Sequence, residues 1–161
     1  MDMINHLDFK LIDPVEAEES WALDGGTQFN VVEIYIDGRE ICDIIKPIEE
    51  AFIEKSETSS QFDDTYGHLD PKNLYDNLSW AAKHDPYFEN EDCLLLCCET
   101  CGEPECWSIA IKIKKDKNFI YWYDFEHNHE GFEYGLSYIF EKNQHDSAMR
   151  KLRKFISQQM R

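Results

Sequence analysis

Apolar and polar positions alternate first between His6 and Ile12, where Leu7, Phe9 and Leu11 stand against polar neighbours. That two-residue period predicts a short β-strand. Phe29 to Ile36 is rich in β-branched and aromatic residues, and Asp37-Gly38 separates it from a second apolar run, Arg39 to Ile45. A two-residue Asp-Gly between such runs favours a tight hairpin turn, because both turn positions need positive φ. The pattern predicts a β-hairpin over 29–45. Lys46 to Lys55 is ambiguous: Ile48, Phe52 and Ile53 sit near helical spacing, but Pro47 suits only a helix start.

Asp70-Pro71 reads as a helix N-cap followed by proline at the first helical position, and Leu74, Leu78 and Ala81 share one face. A helix over 71–82 is expected. Cys93 to Cys98 is almost continuously apolar, as a central strand would be. Trp107 to Lys114 alternates and predicts a strand with one wet face. Phe119 to Glu126 is strongly aromatic and completes a three-stranded antiparallel meander; Tyr138-Ile139-Phe140 adds a further short strand. After Asn143, a residue suited to capping, Ala148, Met149, Leu152, Phe155, Ile156 and Met160 form one apolar stripe at helical spacing. Leu152 and Phe155 are expected to be buried against the sheet. The fold class is therefore α+β: a hairpin and a meander in an antiparallel sheet, with a C-terminal amphipathic helix packed on one face, in a single domain over 1–161.

Composition sharpens this picture. In 161 residues, 42% are hydrophobic and 14% aromatic, which excludes a disordered chain. No apolar run approaches the length of a membrane span, and the first residues carry neither a basic nor an apolar leader, so a cytoplasmic protein without a secretory signal is expected. The formal charge is −17, and the acids are unevenly spread, since only Asp146 among them falls in the stretch that holds Arg150, Lys151, Arg153, Lys154 and Arg161. A field of that sign repels nucleic acid and anionic lipid and attracts basic proteins.

Five of the six cysteines lie between Cys93 and Cys106. A secreted disulfide scaffold would spread them, so reduced thiols are expected. Cys98, Cys101 and Cys106 converge on one turn, and the next strand ends in His127-Asn-His129. Zinc accepts a Cys₃His set, and Cys-x₂-Cys is the spacing of one knuckle, so Cys98, Cys101, Cys106 and His129 are the candidate structural zinc ligands. The alternative is a set of reduced turn cysteines without metal. A redox dithiol would open a helix in a βαβ pattern, which this sequence lacks. His127 and His129 with Asp124, Glu126 and Glu130 are the weaker candidates for acid–base or hydrolytic metal chemistry. Phosphate-binding glycine loops, the Gly-x-Ser-x-Gly elbow and His-Glu-x-x-His are missing, so no catalytic residue is named and a non-enzyme is expected. The aromatic run Phe119 to Tyr123 could suggest a nucleic-acid stacking platform, but with this net charge it reads as core and sheet face.

Four stretches together resemble a broad family of small bacterial proteins: Ile36-Asp-Gly-Arg-Glu-Ile, Tyr66-Gly-His-Leu, Cys101-Gly-Glu-Pro-Glu-Cys106-Trp107, and Trp122-Tyr-Asp-Phe-Glu-His-Asn-His129. Members have a Cys-Gly-x-x-Gly-Cys-Trp turn and an Asp-Phe-x-x-x-His segment after the next strand. This chain departs from them where Glu105 replaces the glycine and where the first cysteine shifts to Cys98. The resemblance implies one bacterial domain and brings no mechanism.

Small, acidic and without a catalytic motif, the chain fits best an immunity protein that neutralises a basic toxin domain, such as a nuclease, by direct binding. Neither nucleic acid nor a membrane is expected as a partner. The partner-binding face expected from the acidic strand ends comprises Glu89, Glu91, Asp92, Glu99, Glu103, Glu105, Asp124, Glu126 and Glu130. Opposite charge of this kind speeds encounter and adds specificity. The alternative function is a structural zinc-binding domain with a housekeeping or regulatory role.

Overall fold

Asp37 and Gly38 both adopt left-handed backbone angles, φ 54° and 81°, and turn β2 (Val31–Ile36) onto β3 (Arg39–Glu40). The computed structural model describes residues 4–12, 30–56, 66–83, 93–98, 109–127 and 132–159. The second arm of the expected hairpin is short. At Ile41 the chain enters helix α1 (Ile41–Ser56) instead of continuing as a strand to Ile45. The residues that suggested a strand, Ile41, Ile44 and Ile45, recur at helical spacing and are all buried. Their burial outweighs the weak β-preference of isoleucine. Pro47 lies inside the helix on its exposed side.

The remaining elements are β1 (Leu7–Ile12), β4 (Tyr66–His68), α2 (Pro71–Lys83), β5 (Cys93–Cys98), β6 (Ile109–Lys115), β7 (Phe119–His127), β8 (Phe132–Glu133), β9 (Tyr138–Glu141) and α3 (Lys142–Gln159). The fold is α+β. β1, β2 and β3 form a three-stranded sheet; β4 to β8 run in order through a six-stranded sheet, with β9 pairing beside β8 on the edge of β7 opposite β6. All these strand pairs are antiparallel. β5, β6 and β7 are the expected meander, and β5 is interior, between β4 and β6. Its continuous apolarity has a local cause: a bulge between Leu94 and Leu96 puts one extra residue into β5, and Leu95 and Leu96 are both fully buried.

Two links curl the sheets toward each other. Asn5, just before β1, donates its amide to the Ile139 carbonyl at 2.7 Å and accepts the Ile139 amide on its side chain at 2.9 Å. At the far side, the Val32 amide of β2 donates to the Leu69 carbonyl, just after β4, at 2.9 Å. The core inside the curl contains Phe9, Ile34, Ile36, Leu95, Ile109, Ile111, Trp122, Phe125 and Phe140. Leu74 and Leu78 of α2 and Ala148 and Leu152 of α3 pack into it. The C-terminal helix therefore docks as its stripe predicts, although Phe155 is only half-buried. It starts at Lys142, with Asn143 inside its first turn.

Candidate metal centre

The link from Val32 to Leu69 brings the end of β4 against the junction of β3 and α1. Three side chains meet there: Glu40, the last residue of β3; Cys42, in the first turn of α1; and His68, the last residue of β4. Their donor atoms all lie within 4.8 Å of one another. Glu40 has a local reason to be there. It immediately precedes the helix, and its Oε2 accepts the Cys42 amide at 2.7 Å. A carboxylate at a helix N-terminus satisfies one of the orphan amides and faces the positive end of the dipole.

The other carboxylate oxygen, Oε1, lies 2.9 Å from Nε2 of His68, and that same nitrogen lies 3.8 Å from the sulfur of Cys42. Glu40 and His68 are buried, with 8% and 9% of their surface exposed. Burial pushes the Cys42 thiol up to about 11, against the pull of His68, so the free thiol stays protonated at neutral pH.

This geometry does not make a nucleophilic triad. A Cys-His-carboxylate triad uses opposite nitrogens of the imidazole for the thiol and the orienting acid. Here both partners address Nε2. Three ligand atoms within 4.8 Å of one another could instead hold a metal ion. With bonds of about 2.3 Å to sulfur and 2.0–2.1 Å to nitrogen, a tetrahedral zinc separates its two ligand atoms by about 3.6 Å. The 3.8 Å between Cys42 Sγ and His68 Nε2 is close to that edge, whereas Glu40 Oε1 and His68 Nε2, 2.9 Å apart, are hydrogen-bonded and would have to part to about 3.3 Å to share a zinc ion. A neutral histidine, a thiolate and a carboxylate form a set that suits zinc and disfavours magnesium and calcium, which want oxygen.

The residues singled out in the sequence are distributed differently. Cys98 ends β5, opposite Tyr66 and two residues along β4 from His68. Cys101, Cys106 and His129 lie outside the described residues, as do Glu89, Glu91, Asp92, Glu99, Glu103, Glu105 and Glu130. Of the expected acidic face, Asp124 and Glu126 on β7 are described. Asp124 is exposed, takes a left-handed φ of 52° at a bulge against β6, and pairs with Lys112 at 3.7 Å. Glu126 is half-buried. His127 pairs with Ile109 and Phe132 at the end of β7.

The cluster of Glu40, Cys42 and His68 is absent from the sequence reading. Its members are separated by 26 residues between Cys42 and His68, so no motif announces them. The signal available was the Glu-x-Cys pair entering a helix, which the hairpin assignment hid. No family model, no curated protein and no solved structure matches this chain. No described helix is long and apolar enough to cross a membrane.

Proposed function

We propose that the chain is a small domain stabilised by one bound zinc ion, held by Cys42, His68 and Glu40. The observation that carries this reading is the convergence of a sulfur, a nitrogen and a carboxylate oxygen within 4.8 Å at a buried junction of three elements. The ion would take the sulfur as thiolate, replace the proton that burial otherwise keeps there, and staple β4 to the start of α1. A closed structural site would need a fourth ligand beside these three. Burial of the cluster favours a structural role over a catalytic one, because catalysis needs substrate access to the open position.

Neutralising a basic toxin domain is the second reading. It is supported by the −17 charge, whereas the described part of its acidic face already spends Asp124 on Lys112.

Metal analysis of the purified chain tests the first reading. About one equivalent of zinc is expected, and a chelator should lower the melting temperature. Cobalt substitution should give a thiolate-to-metal absorption band that disappears in Cys42→Ser and in His68→Gln. A metal-free chain that melts like the zinc-loaded chain, or a cobalt band untouched in Cys42→Ser, would overturn it.

A further inference from the structure

We propose that the outer face of β6, β7 and β9 binds a small planar aromatic anion. The strand alternation of β7 sorts its aromatic residues between two faces. Ile120 and Trp122 enter the core, while Tyr121 and Tyr123 are half-buried on the other side. On that side, register puts Lys114 opposite Tyr121 and Lys112 opposite Tyr123 across β6, and Ile139 opposite Tyr121 across β9. The result is a cavity of about 390 Å³ lined on this face by Lys114, Tyr121, Tyr123, Ser137 and Ile139, and bordered by Trp122 and Tyr138, which pack on the core side. That volume lies in the usual range of small-molecule sites, and the lining has their usual character: mostly apolar and aromatic, with a few polar groups to orient the ligand.

One wall is pre-ordered. The Tyr121 hydroxyl donates to Asp116 Oδ2 at 2.8 Å, and the other oxygen of Asp116 accepts the amides of Asn118 and Phe119 in the turn between β6 and β7. The ring is held before any ligand arrives, which lowers the ordering cost of binding. The same three bonds occupy Asp116.

Charge selects the occupant. Lys112 is paired with Asp124, whereas Lys114 is exposed and makes no direct ion pair among the described residues, although its charge is felt by the nearby Asp116 carboxylate. A ring seated on the tyrosines would place an anionic substituent beside the Lys114 ammonium, with the Ser137 hydroxyl at the rim as a second donor. A chain of charge −17 repels a polyanion, which favours a single small anion over a strand of nucleic acid.

The test uses 2-naphthoate, with 2-naphthamide as its uncharged counterpart, titrated into the full chain and followed by calorimetry and by ligand-observed NMR. Saturable binding of the acid is expected, with the amide about fivefold weaker, as one exposed charge pair provides. Lys114→Gln should bring the acid down to the level of the amide. Tyr123→Ser should weaken both, and Tyr123→Phe, which keeps the ring, should restore both if the serine variant melts early. Absence of saturable binding, equal affinity for acid and amide, an acid preference that survives Lys114→Gln, or tighter binding of a short oligothymidylate than of naphthoate would each overturn the proposal.

Discussion

Trp122 donates its indole N–H to Nε2 of His145 at 3.2 Å, and both rings are buried, the first at 0% and the second at 2% exposure. The bond assigns the tautomer. Because Nε2 accepts, Nδ1 carries the proton, and Nδ1 is buried without a hydrogen-bond partner. A protonated ring would meet the indole N–H with a second N–H. Burial therefore lowers the pKa of His145 to about 4, with Asp146 pulling weakly the other way.

The sign of the acid response follows. The unfolded chain takes up this proton near pH 6.5, while the folded chain resists until about pH 4. Stability is intact above pH 6.5 and falls as pH drops toward 4, by about 3 kcal/mol at most from this group. Urea unfolding at pH 7 and pH 4.5 measures it. His145→Gln keeps an acceptor for Trp122 and should lose most of this pH dependence; an unchanged slope would rule out His145 as its source.

Gly38 supports a turn whose cost is purely one of backbone. A Cβ there would meet nothing within 4 Å, yet φ is +81°. Gly38→Val should cost about 1–2 kcal/mol through the left-handed penalty alone. Gly38→Asn should cost clearly less. Equal melting temperatures for wild type and the valine variant would contradict the turn geometry.

Along α3, Leu152 and Phe155 should respond unequally. Leu152 is fully buried and Phe155 half-buried. Leu152→Ala should cost about 2–5 kcal/mol by leaving a cavity. Phe155→Ala should cost about 1–2 kcal/mol, because part of its surface is already in water. Chemical denaturation of the two variants side by side checks the order.

Glu40→Gln separates capping from metal binding. The amide oxygen of glutamine can still accept from the Cys42 amide, but the anionic ligand is gone. Zinc affinity should fall by at least about tenfold, since even outer-shell partners of a metal contribute that much. The melting temperature of the metal-free chain should move far less than that of the zinc-loaded chain. Competition with a chromogenic chelator gives the affinities.

Much of this fold is legible in the order of its residues where local chemistry and burial agree. Asp37-Gly38 needed no tertiary information, and neither did the strands β6 and β7 or the proline that opens α2. The failures share a cause: short or β-branched segments decided by distant contacts. Ile41 to Ile45 reads as strand or helix until the core selects one, and Tyr66-Gly67-His68 is too brief to show a period. The buried His145 was within reach, since it stands three residues before Ala148 on the same apolar stripe. The cluster of Glu40, Cys42 and His68 was not, because residue 68 meets residues 40 and 42 only through tertiary contacts, among them the backbone bond from Val32 to Leu69. The density of cysteines between Cys93 and Cys106 points instead to a segment that lies partly outside the described residues.

The link between Asn5 and Ile139 also sets a timetable. Its two partners are 134 residues apart, and the neighbouring exchange between Leu7 and Gln144 spans 137. During synthesis β1 can find β2 early, but its other flank waits until β9 and the start of α3 have left the ribosome. Closure entropy grows only slowly with loop length, but it must be met before such non-local contacts reward it, which slows their formation. Among the described residues, that flank of β1 gains its partners only late in translation. This is the interval in which a chaperone would have the most to hold, and in which the nascent chain is most exposed to aggregation.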